Sequence, residues 1–163
     1  MEPLNAYVKT VYPFLENVIY SITVYEVVSS RIHQDKTFDP YEREFWVNII
    51  NNSIQMAIVD WCKVFGSERD NPFHYKNNLD FVLDGIDPIS EKMVRFRNKF
   101  IAHKTKVKVP VPILNEALDA IFAFDEKFRE EFDFDGYPTL KGSHESNQIR
   151  VEDMLENYGI NEI

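Results

Sequence analysis

The chain has 163 residues, 44% apolar and 28% charged, and its 27 acidic against 18 basic side chains give a formal net charge of −9. That length supports one domain with a core of its own, and only five glycines among long apolar-periodic runs favour helices over a turn-rich β fold. A single cysteine, Cys62, excludes an intramolecular disulfide, the acidic balance argues against non-specific coating of nucleic acid, and no apolar run reaches the roughly 18 residues of a membrane span.

The opening MEPLNAYVKT has no basic stretch followed by an apolar one, so a secretory leader is not expected. With the lone cysteine, this points to the cytoplasm. From Leu4 to about His33, residues such as Val8, Val11, Leu15, Val18, Ile22 and Val28 recur in steps of three and four. One apolar stripe sustained for about seven turns predicts a long helix. Pro13 either bends it or marks its first turn, with the helix starting near Tyr12.

Asp39-Pro40 is a start signal, an acidic N-cap before a proline at the first helical position. This second helix should run to Phe65 and stop at Gly66 in a left-handed cap, with Phe45, Trp46, Ile50, Ile58 and Trp61 on its apolar faces. Cys62 reads as a packed core thiol. Ser67 to Pro72 is a loop by composition, and Phe73 to Leu83 a shorter helix ended near Gly85. Asp87-Pro88 repeats the start signal. Pro110 and Pro112 make Thr105 to Pro112 extended, and Pro112 opens a helix from Ile113 to about Phe132.

Beyond residue 134 the chain turns polar. Residues 1–134 therefore read as a helical bundle and 135–163 as a partly irregular tail with a possible short helix over 149–158. The fold class is all-α, a single-domain up-and-down bundle of about five helices.

The helix after Asp87 carries charge inside its apolar face. At about 100° per residue, Met93, Phe96, Phe100, Val94 and Ile101 form one arc, with Arg97 in its middle and His103 at its edge. A guanidinium keeps its proton, so Arg97 needs a partner charge, a cavity or a second subunit. Asp60 is either an exposed acid or that partner. From Lys92 to Lys108 there are seven Lys or Arg and no acid, which leaves −16 on the remainder of the chain.

The four histidines show no i, i+4 pair, and HExxH, CxxC, Gly-rich phosphate loops and GxSxG are absent from the sequence. The stretch from Asp133 fails as a calcium loop because Pro138 and His144 stand where Gly and Glu are needed. No metal and no cofactor are expected.

The run Arg97-Asn98-Lys99-Phe100-Ile101-Ala102-His103 resembles the signature of the HEPN superfamily: Arg, a polar residue, then His after four to six intervening residues. RNKFIAHK is most similar to abortive-infection members. The resemblance is sharp over about eight residues, with the tail outside it. It implies a helical bundle that dimerises through the motif helices. It also implies metal-independent endoribonuclease activity in many members, and RNA-binding or interaction roles in others. Carried over, His103 would be the general acid or base, Arg97 would hold the scissile phosphate, and Asn98 would orient. The expected setting is phage defence or a toxin, with RNA, a second copy of the chain and an antitoxin protein as partners, and no membrane.

The residue chemistry points the same way on its own terms. RNA carries its own nucleophile, the 2′-hydroxyl, and asks for a proton shuttle near neutral pH and a fixed cation at phosphorus. Imidazole and guanidinium supply these. Lys99, Lys104, Lys106 and Lys108 are candidates to hold neighbouring phosphates. The bland alternatives are a helix-capping histidine and a core-paired arginine. The alternative function is a non-catalytic module that binds RNA or protein through the same face.

Overall fold

The computed structural model describes residues 2–34, 39–102, 111–132 and 138–158. Five α-helices, α1 (Glu2–Gln34), α2 (Pro40–Phe65), α3 (Ile86–Phe96), α4 (Leu114–Phe132) and α5 (Leu140–Asn157), form a helical bundle with no strand among the described residues. This is the all-α architecture expected.

Helix α1 runs unbroken through Pro13, so that residue is not the helix start. Its stripe (Val8, Val11, Leu15, Val18, Ile22, Val28) is buried as the period requires, joined by Tyr7 and Tyr12. The main partners of α1 are α2 and α5. Helix α2 opens with the expected cap. Asp39 accepts from the Tyr41 and Glu42 amides at 2.7 and 3.0 Å, and Glu42 reaches back to the Asp39 amide. Such a box replaces backbone partners the first turn lacks. Most of its first ten residues are exposed, Phe45 at 57%, while Trp46 and Ile49 are half-buried against the core.

Gly66 was expected in a left-handed cap; its φ is −77°, so that reason for glycine fails. Closeness explains it instead, because a Cβ there would lie 2.4 Å from the Cys62 carbonyl oxygen. Side chains close the end of α2: Ser90 Oγ donates to the Phe65 carbonyl at 2.6 Å and Asn71 Nδ2 to that of Lys63 at 2.9 Å.

The helix expected over Phe73–Leu83 is a single 3₁₀ turn, Tyr75–Asn77. Asparagine side chains explain the difference. Asn77 donates to the carbonyls of Glu68 and Asn71, and Asn78 to those of Pro72 and His74, at 2.9 to 3.0 Å. These bonds offer the backbone an alternative to the helix. Tyr75, Phe81 and Leu83 are still buried. Tyr75 packs on Phe65 with ring centroids 5.7 Å apart, and Phe65 on Phe124 of α4 at 5.5 Å. Each such pair adds about 0.5–1.5 kcal/mol beyond its buried area. The non-helical segment is thus fastened to the core.

Asp87 does not cap α3. Gly85, at φ 73°, is the residue before the helix, and Asp87 lies in its first turn, pairing with Lys76 at 3.2 Å.

The polar C-terminal region holds a full helix, not the short one over 149–158. Thr139 caps α5 through the Gly142 amide at 3.1 Å, and Leu140, Val151 and Leu155 enter the common core. A buried network fixes its start. Asp125 of α4 accepts from the Tyr12 hydroxyl at 2.6 Å, Arg129 Nε at 3.0 Å and the Leu140 amide at 2.8 Å. Arg129 in turn donates to the Pro138 carbonyl at 2.8 Å. One carboxylate therefore ties α1, α4 and α5 together.

Candidate functional site

At Arg97 helix α3 passes into a π turn, Arg97–Ala102. Hydrogen bonds there span five residues rather than four, a local widening often found at functional sites. The 100° wheel therefore ceases to apply at Arg97. Its side chain is half-buried rather than sunk in an apolar arc.

Arg97 donates through Nε to Asn98 Oδ1 at 3.1 Å. No described carboxylate pairs with it. Asp60, the sharper candidate, is taken: it is buried, bonded by Lys63 Nζ at 2.6 Å and by Asn17 Nδ2. Asp60 is also not the exposed acid of the bland reading. The Asn98 bond uses the inner nitrogen of the guanidinium, and the Cys62 thiol lies against the same group. A guanidinium can grip phosphate through its terminal nitrogens. Asn98 and Lys99 are exposed beside it.

Arg97 lines an open groove of about 410 Å³ whose other wall is the loop after α2, with Arg69, Asp70, Asn71 and Phe73, and whose floor includes Cys62 and Lys63. Cys62 is buried and free, as expected of a core thiol. Burial pushes its pKa up to about 11 against the pull of the adjacent Arg97 guanidinium. It therefore stays a thiol at neutral pH and is not a nucleophile here.

His103, Lys104, Lys106 and Lys108 lie outside the described residues. The described part of the basic strip is less free than its composition implied, since Lys92 pairs with Glu116 across to α4 at 2.8 Å. Among the described residues no cluster of His, Cys, Asp or Glu is arranged to hold a metal ion, and no helix is long and apolar enough to cross a membrane.

Arg69 and Phe73, on the facing wall, were not singled out from the sequence. SERDNP gave only the loop; nothing in it says that the loop folds back over α2 to meet Arg97. Comparison with protein-family models, with curated proteins and with solved structures found no match for this chain.

Proposed function

We propose that this chain is a metal-independent endoribonuclease whose site is completed across a homodimer, with Arg97, Asn98 and His103 as its working residues and a role in phage defence or as a toxin held by an antitoxin protein. The observation that carries the reading is Arg97: half-buried, oriented by Asn98, facing an open groove, and without a carboxylate among the described residues. A cation held in this way is suited to an anion supplied from outside.

In the reaction, the imidazole of one His103 takes the proton of the 2′-hydroxyl. The 2′-oxygen attacks phosphorus, and the bond to the 5′-oxygen breaks. That oxygen receives a proton from the imidazolium of the second subunit's motif. The products are a 2′,3′-cyclic phosphate and a 5′-hydroxyl. Arg97 holds the non-bridging oxygens as negative charge grows on them, which is where such a donor contributes most. Asn98 fixes the angle of the guanidinium. Lys99 sits beside this site, and Lys104, Lys106 and Lys108 follow it in sequence, as contacts for flanking phosphates.

Single-stranded RNA should be cut in the presence of EDTA, leaving cyclic phosphate ends. His103→Ala should lower the rate by at least about 100-fold, the usual worth of a positioned acid or base. A variant that cuts as fast as the parent would remove His103 from the chemistry. Binding without turnover would identify a non-catalytic RNA-binding module.

A further inference from the structure

We propose that the groove facing Arg97 seats one unpaired nucleotide of single-stranded RNA next to the scissile phosphate, with Arg69 on the adjoining phosphate and Phe73 under the base. The choice of RNA over DNA rests on the ribonuclease reading; the choice of a single strand rests on the groove itself.

The groove's volume of about 410 Å³ falls within the roughly 300–1,000 Å³ of small-molecule sites. It suits a single nucleotide and is too small for a duplex. Its lining carries three cations, Lys63, Arg69 and Arg97, against one carboxylate, Asp70, on a chain that is otherwise strongly acidic. The three are not equivalent. Lys63 is neutralised by buried Asp60 and lies 4.2 Å over the Phe14 ring, so it shapes the floor. Arg69 meets Asp70 at 3.6 Å with both side chains 91% exposed. An ion pair that exposed contributes little and gives way to a phosphate.

Phe73 supplies what a phosphate site alone would not need. Its ring is partly exposed and stands edge-to-face on Phe14, centroids 5.6 Å apart. Its backbone is fixed on both sides. The amide donates to Asn71 Oδ1 at 3.1 Å, and the carbonyl accepts from the Tyr7 hydroxyl at 3.3 Å. Asn71 is itself anchored to the last turn of α2. An aromatic ring fixed in advance beside cations is how single strands are held without base-specific contacts. An acidic peptide would use the same cations but has no call on the ring.

The test uses a fluorescein-labelled single-stranded RNA carrying 2′-O-methyl groups, which cannot be cleaved, with binding read by anisotropy. Arg69→Ala should weaken binding about tenfold and make the slope of log K against log salt shallower by about one. Phe73→Leu should weaken it about tenfold and Phe73→Trp restore it, with binding measured well below the thermal midpoint of each variant because the Leu change also removes the Phe14 ring contact. A hairpin duplex and polyglutamate should compete poorly. Parent-like binding by Arg69→Ala and Phe73→Leu would overturn the proposal, as would equal binding of the duplex. So would displacement by polyglutamate together with indifference to Phe73. Cleavage of unmodified RNA is scored separately. Its absence removes the ribonuclease reading, while the two wall variants still decide the groove.

Discussion

Arg97 and Gly66 show how single positions set this site. Arg97 is kept from neutralisation because its natural candidate, Asp60, is occupied by Lys63 and Asn17. Gly66 lets the chain turn hard against the Cys62 carbonyl and begin the loop that faces Arg97. A methyl group there must displace backbone, an overpacking that costs roughly 1 to 3 kcal/mol. Gly66→Ala should therefore lower stability by that amount in chemical denaturation, and should weaken RNA binding alongside it. Unchanged denaturation would mean that the turn relaxes without strain. Neither role was legible in the sequence. Glycine after a helix most often signals a left-handed cap, and a helical wheel cannot foresee a π turn.

At the scale of elements, α5 is held by two polar attachments, the Asp125 network at its start and His144 one turn further along. Thr23 spends its hydroxyl proton on the Ile19 carbonyl at 2.8 Å, so the 3.0 Å contact with His144 assigns the donor proton to Nδ1. Burial holds the His144 pKa below the ordinary 6.5, with Glu145 pulling weakly the other way, and His74 is lowered likewise. As pH falls below 6.5 the unfolded chain takes up these protons first, so stability is full above that value and declines through the folded-state pKa. Glu26 acts in the opposite sense, because burial raises its pKa. The thermal midpoint of His144→Gln should thus fall less between pH 7 and pH 5 than that of the parent. Parallel curves would show that this imidazole is equally basic folded and unfolded. The same element shows where pattern reading failed. Leu140, Val151 and Leu155 are too sparse to register as a stripe, yet Thr139 and the Asp125 carboxylate make a helix of the segment.

At the scale of the whole molecule, the chain is acidic overall while the groove lining carries three cations against one carboxylate, so under the proposed reading a polyanion would be repelled broadly and accepted only there. A single Arg97 and His103 per chain would leave a base without its acid, which is why the proposed reaction needs a second copy. Sedimentation should find a species of twice 19.3 kDa. Activity per chain should fall on dilution as that species separates. A monomer whose specific activity ignores concentration would remove the composite site.

The sequence alone determined the helices whose apolar residues recur every three or four positions, α1, α2 and α4, together with the Asp39 cap, because those features depend on near neighbours. It also nominated Arg97, Asn98 and His103 as candidates, because a short motif is visible locally, although the helical wheel that placed Arg97 on an apolar face ends at the π turn. Only the tertiary structure decided that Asp60 belongs to Lys63, that the Asn-braced segment stays out of a helix, and that Arg69 and Phe73 meet Arg97 across a groove. Those outcomes depend on side chains distant in sequence competing for the same partners, and no periodicity encodes that competition.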